Sequence, residues 1–124
     1  MTTTATAPAG VRVNELNGYI QTGKILEAMD EFYDQNVEMR ENAGEPTVGL
    51  AANIEREKQF LANVKTFHAF EVKGVATAPD LSIVESEMRF TSQEDQEVVL
   101  QQVSVQRWQN GKIVSERFYY DSGV

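Results

Sequence analysis

The chain has no cysteine. Disulfides, thiol catalysis and thiolate metal sites are excluded together. It has one histidine, His68, too few for a zinc site built from protein ligands alone, so neither a metal nor another cofactor is expected. Basic residues are scarce as well. Eleven Lys and Arg face 19 Asp and Glu, giving a net charge of −8, and the cations never cluster. A nucleic-acid binder needs a basic footprint to neutralise phosphates, so nucleic acid and anionic membrane surfaces are not expected partners. No apolar run approaches the length needed to span a bilayer. The Thr/Ala/Pro-rich stretch of residues 1–10 lacks a basic start and an apolar centre, so it reads as a disordered tail, not a signal peptide. Residues 11–124 then form a single domain, with a cytoplasmic setting as the default expectation.

The strongest positive signal is Asn110-Gly111. It lies between two β-rich runs, Val98 to Trp108 and Ile113 to Tyr120. A two-residue type I′ turn needs φ > 0 at both central positions, which Asn-Gly supplies. Upstream, Val13, Leu16, Tyr19 and Ile20 fall at helical spacing, and Gly23 offers a left-handed stop. Ile25, Leu26, Met29, Phe32 and Tyr33 predict a second helix packed against the first. Val37 to Asn42 alternates as a strand, and Ala43 to Gly49 reads as loop. Asn53 then caps a third helix carrying Ile54, Phe60, Leu61, Val64 and Phe67. Strands follow at His68 to Lys73 and Ile83 to Phe90 before the hairpin. Helices first and an antiparallel meander afterwards is an α+β arrangement, with three helices on one sheet face.

A regular hairpin sets the facing pairs as Gln109 with Lys112, Arg107 with Val114, Val105 with Glu116, Val103 with Phe118 and Gln101 with Tyr120. The more apolar face holds Val99, Gln101, Val103, Val105, Val114, Glu116, Phe118 and Tyr120, and is expected to turn inward. Trp108, Ile113, Tyr119, Arg117 and Asp121 are then expected outside, where a second copy of the chain would cover the aromatic residues. On the neighbouring strand Val84, Ser86, Met88 and Phe90 are expected inside.

This order of elements resembles the SnoaL-like branch of the nuclear transport factor 2-like superfamily. The resemblance is carried by the Gly23 junction, the strand Val37 to Asn42, and Pro46-Thr47-Val48-Gly49 before helix three. The ending from Arg107-Trp108-Gln109-Asn110-Gly111 to Phe118-Tyr119-Tyr120-Asp121 carries the rest. It implies a cystatin-like cone: a strongly curved, mostly antiparallel sheet wrapped around three helices, an apolar pocket open at one end, and a homodimer formed through the outer sheet face. Members include polyketide cyclases, ketosteroid isomerases, epoxide hydrolases, dehydratases and non-catalytic carriers, so the fold does not name the function.

The resemblance places Glu41 near the isomerases' general base, at the end of the strand after helix two. It puts Tyr19 about a turn away from their oxyanion tyrosine, and Val103 or Val105 where they carry a protonated aspartic acid. Where hydrolases and cyclases use an inward aspartate on the last strand, this chain has Phe118. The hydrolases' arginine and first aspartate correspond to Ser86 and Met88. Glu41 and Glu116 are therefore the candidate catalytic residues, one as base and the other as a proton-holding acid in an apolar site. Tyr19, Tyr33, Met39, His68, Phe70, Ser86, Met88, Gln101, Val103, Phe118 and Tyr120 are the expected pocket lining. Two functions stay open. One is a protein that binds a small apolar ligand without catalysis. The other is a proton-transfer enzyme of isomerase, cyclase or dehydratase type with Glu41 as base.

Overall fold

The structure, a computed structural model, describes residues 8–122. Helix α1 (Ala9–Gln21) buries Ala9, Val13 and Leu16 along one stripe. It starts two residues inside the expected tail, because the Pro8 carbonyl accepts from both Val11 and Arg12 and begins the helical ladder. Residues 1–7 of that tail lie outside the described residues. Gly23 adopts φ +79 and ends the turn as expected. Helix α2 (Ile25–Phe32) buries Ala28, Met29 and Phe32. The sequence extends this helix to Tyr33, but Tyr33 has extended φ/ψ and opens strand β1 (Tyr33–Glu41) by pairing with Ile113. A strand partner here outweighs the helical spacing, and Tyr33 is buried from β1 instead of from α2.

Within the expected loop, β2 (Thr47–Val48) pairs antiparallel with Glu38 and Met39. Helix α3 (Leu50–Ala62) starts at Gly49, which has φ +98, so Asn53 is not its cap. Instead the Asn53 Nδ2 donates to the carbonyls of Gly49 at 2.8 Å, Thr47 at 3.0 Å and Val37 at 3.5 Å. One side chain thus ties α3 to both β1 and β2. Asn53→Ala is expected to cost about 1 kcal/mol in urea unfolding, because the Thr47 carbonyl loses this donor while those of Gly49 and Val37 keep the backbone N–H groups of Asn53 and Gly49. A loss below ~0.5 kcal/mol would assign that clamp no weight. The helix also ends sooner than the sequence suggests. Phe67 belongs to β3 (Val64–Ala78), where it pairs with Phe90.

Strands β4 (Leu81–Ser92), β5 (Glu97–Gln109) and β6 (Lys112–Tyr120) complete a six-stranded sheet in the order β2-β1-β6-β5-β4-β3. Among the described residues only the β1–β6 pair is parallel. The β3–β4 register slips at three places, and such irregularities bend a sheet. The result is the α+β cone, with three helices inside the curve. Among the described residues no helix is long and apolar enough to cross a membrane.

The hairpin turn forms as expected, with φ +54 at Asn110 and +77 at Gly111, and Gln109 faces Lys112. The next pairs depart from the regular register. Trp108 faces Ile113, and then Arg107 faces Ser115, leaving Val114 as the extra residue of a bulge. Beyond it Gln106 faces Glu116, Ser104 faces Phe118 and Gln102 faces Tyr120. The expected inner face is therefore half right. Glu116, Phe118 and Tyr120 line the inside, but on β5 the inward residues are Gln102, Ser104, Gln106 and Trp108. Trp108 and Ile113, expected on the outer face, are 6 % and 0 % exposed in the core. Tyr119 is outside as expected, and Val99, expected inside, is exposed with the rest of the reversed β5 face. Both strands flank one bulge, so parity counted from the turn is correct on β6 past the bulge and reversed on β5.

Candidate functional site

The bulge at Val114 decides the site. In an unbroken strand Ile113 and Glu116 would point to opposite faces. With one extra residue between them both turn inward, and a carboxyl group enters the core beside Ile113, 3 % exposed. Glu116 sits at a cavity of about 100 Å³, lined by Leu16 and Asn17 of α1, Ala28 and Met29 of α2, and Phe70 and Val84 of the sheet. The Tyr33 hydroxyl donates a short hydrogen bond to Glu116 Oε1, and Gln106 Nε2 donates to Oε2 at 2.8 Å. Burial pushes the Glu116 pKa up to about 7, against the two hydrogen bonds that favour its ionised form; nearby Glu57 adds a smaller upward push. Burial, and then the Glu116 charge, also hold the Tyr33 hydroxyl well above the ordinary tyrosine range.

Gln106 is itself held. Ser82 Oγ donates to Gln106 Oε1 at 2.6 Å, and Trp108 Nε1 donates to Ser82 Oγ at 2.9 Å. All three side chains are buried. A line of hydrogen bonds thus runs from the indole through β4 to the carboxyl group.

Towards the open end lies a second space of about 310 Å³, lined by Glu41, Arg56, Phe60, Leu100 and Tyr120 among others. Met39, Glu57, Met88, Gln102 and Phe118 line both spaces and form the partition between them. At this rim Glu41 is paired with Arg56 Nη2 at 2.5 Å and accepts the Tyr120 hydroxyl. Its side chain is 44 % exposed. The hydrogen bond to Glu41, and then burial, raise the Tyr120 pKa. Glu57 carries a raised pKa because it is withdrawn from water; Arg56 opposes the shift and Glu41 adds to it.

Glu41 and Glu116 are thus not one carboxylate pair. Glu116 is inside the chamber, and Glu41 is part of an ion-paired rim. Of the expected lining residues, Tyr33, Met39, Phe70, Met88 and Phe118 bound the inner chamber, and Tyr120 the outer one. Five others fall elsewhere. Tyr19 stands edge-on to Phe32 outside both spaces. Ser86 is buried in the sheet, 3 % exposed, without bounding either space. His68 is exposed and bonded to Thr91, since β3 slips register beside it. Gln101 and Val103 lie on the convex face because of the reversed β5 phase, and Gln101 Nε2 donates to Glu87. That bond and a second from Arg89 lower the Glu87 pKa. Asp121 is exposed just past the end of β6.

Sequence reasoning missed Glu57, Gln102, Ser104 and Gln106. A signal for Glu57 existed: it is spaced three residues from both Ile54 and Phe60, inside the apolar stripe of α3. The three polar residues of β5 give its inner face the composition of a solvent face.

A family model described as the SnoaL-like domain matches residues 5–120. No curated protein matches in sequence. Among solved structures, a candidate SnoaL-like polyketide cyclase from Mesorhizobium loti superposes with TM-score 0.81 at 19 % identity, covering 92 % of this chain and 100 % of its own. An NTF2-like protein of unknown function from Burkholderia pseudomallei gives 0.80 at 14 % identity, covering 98 % and 94 %. A candidate isomerase from Rhodopseudomonas palustris gives 0.73 at 15 %, covering 90 % and 87 %. At these identities the likeness is one of fold.

Proposed function

The chain belongs to the SnoaL-like domain family, and from that premise we propose that its cone binds a small, mostly apolar organic molecule, with Glu116 and Tyr33 as the polar anchor. One observation carries this reading: a carboxyl group buried at an apolar chamber, held from both sides, with no Lys, Arg or His among the residues lining the chamber. A neutral ligand with one hydrogen-bonding group fits such a lining, and an anion does not. The chamber of about 100 Å³ suits a ring the size of cyclohexanone, and rotation of Phe118 would join it to the outer space. Cyclohexanone and its aromatic analogues are expected to raise the melting temperature, with a rise that becomes logarithmic in concentration above Kd. Filling the chamber by Ala28→Leu is expected to remove that protection. Protection retained in Ala28→Leu would place the ligand elsewhere.

A second reading, proton transfer of isomerase, cyclase or dehydratase type, is favoured by the Glu116 pKa near neutrality. Here the base moves from Glu41 to Glu116, because Glu41 is occupied by Arg56 and Tyr120 at the rim. Solvent-deuterium exchange into the α-carbons of cyclohexanone distinguishes the candidates. Glu116→Gln is expected to slow it roughly 10²-fold or more, and Glu41→Gln to leave it nearly unchanged. The reverse ranking would restore Glu41 as the base. We also propose that the convex face, with exposed Val99 and Tyr119 and Arg117 stacked 4.8 Å over the Tyr119 ring, pairs with a second copy of the chain.

A further inference from the structure

The hydrogen bonds behind Glu116 have a direction. An indole N–H can only donate, so Trp108 occupies Ser82 Oγ as an acceptor. Ser82 is fully buried, and it gives its own hydroxyl hydrogen to Gln106 Oε1. With its carbonyl end taken, Gln106 must present Nε2 to Glu116 Oε2. The flipped amide would take away the acceptor that the Ser82 hydrogen uses and set two oxygens face to face at Glu116, which is costly in a buried site. Oε2 of Glu116 therefore always faces a donor.

We propose that Trp108, Ser82 and Gln106 are positioning residues that confine any proton of Glu116 to Oε1, so that Tyr33 gives its hydroxyl hydrogen to Glu116 in one state and turns it towards the chamber in the other. When Glu116 is ionised, Oε1 accepts from Tyr33. When Oε1 carries a proton, that proton bonds to the Tyr33 oxygen, and the tyrosine hydrogen is released to the chamber Tyr33 lines. The chamber then offers a donor suited to a carbonyl oxygen; in the ionised state it offers none from this pair. The ionisable groups facing Glu116 are Tyr33 of β1 and Glu57 of α3, the latter under the influence of Glu41 and Arg56. Helices α1 and α2 and strands β3, β4 and β5 contribute no ionisable side chain to the chamber. The consequence for a ligand rests on the binding reading above. The relay itself is read on the protein alone, so the two can fail separately.

The experiment is a pH titration by NMR of full-length protein labelled with ¹³C at Glu Cδ and Tyr Cζ, without ligand. Glu116→Gln and Tyr33→Phe assign the two resonances. In the native chain both are expected to move together with one midpoint. Ser82→Ala frees the amide of Gln106 to turn and accept a proton from Oε2, which stabilises the neutral acid. The midpoint is then expected to rise by roughly half to one pH unit, and Trp108→Phe to raise it in the same direction by less. A purely structural role would change stability without moving the midpoint upward. A midpoint unchanged in both variants overturns the proposal, as does a Tyr33 resonance that ignores the Glu116 titration. Should Ser82→Ala fail to fold, Trp108→Phe decides alone.

Discussion

Glu116→Gln is expected to remove a large pH-dependent loss of stability. An unfolded glutamate ionises near 4.5, whereas the folded chain keeps the proton on Glu116 up to about 7. Between those values the folded state holds more protons than the unfolded one, so unfolding becomes easier as pH rises. The contribution is fully present below about 4.5 and is lost as pH climbs through about 7. At ~1.4 kcal/mol per pH unit of separation, the loss is roughly 3 kcal/mol. Glu57, also raised, acts in the same sense, and Glu87, lowered by Gln101 and Arg89, acts in the opposite one. Both are present in the variant and cancel in the difference. Urea unfolding of both proteins from pH 4.5 to 8 should therefore show the variant gaining roughly 3 kcal/mol on the native chain. A fixed offset is expected beneath that gain. The new amide keeps its oxygen towards Gln106 Nε2 and sets its nitrogen against the Tyr33 oxygen, so the tyrosine must turn its hydrogen away. The pH-dependent part is the readout, and parallel stability profiles would mean that Glu116 ionises inside the fold at no cost.

The same carboxyl group marks where the sequence is legible and where it is not. Helical stripes such as Val13 and Leu16, or Ala28, Met29 and Phe32, are local patterns, and each buries as its spacing requires. Strand β4 is read correctly because its inward set, Val84, Ser86, Met88 and Phe90, alternates without interruption. The turn at Asn110-Gly111 is equally local. The bulge at Val114 is not. It forms where β6 must match β5 on one side and β1 on the other, and the β1–β6 register slips over the same stretch, between Tyr33 and Glu38. No residue in Ile113-Val114-Ser115 announces the insertion. The inner face of β5 was missed for a different reason. A face carrying Gln102, Ser104 and Gln106 resembles a solvent face in composition, and a cavity with polar anchors breaks the rule that inside means apolar. The site residues that escaped sequence analysis are thus those whose local pattern conflicts with their burial.

Phe32→Ala is expected to be the most damaging single truncation in the helical layer. The ring is 1 % exposed at the joint where α2 turns into β1. Tyr19 packs edge-on against it, with centroids 5.2 Å apart and planes at 88°, and the Arg12 guanidinium lies 4.5 Å over its face. Arg12 is itself buried and donates to the carbonyls of Gly111 and Glu31, so the ring supports the cation that ties α1 to α2 and to the hairpin turn. Emptying such a site removes transfer energy and leaves a cavity, together about 3–5 kcal/mol. Loss of the cation–π contact adds about 1 kcal/mol or more for a desolvated guanidinium. Phe60 provides the comparison. It makes a similar edge-on contact with Phe90 at 5.3 Å but is only half-buried beside the outer space, so Phe60→Ala should cost less than half as much. The effect of Phe32→Ala should also reach the chamber, since the next residue is Tyr33 and its hydroxyl is one of two donors to Glu116. With that donor loosened, the Glu116 titration in the surviving folded fraction should move upward, towards the neutral acid. Equal costs for the two truncations, or a Glu116 midpoint untouched by Phe32→Ala, would separate the helix joint from the chamber.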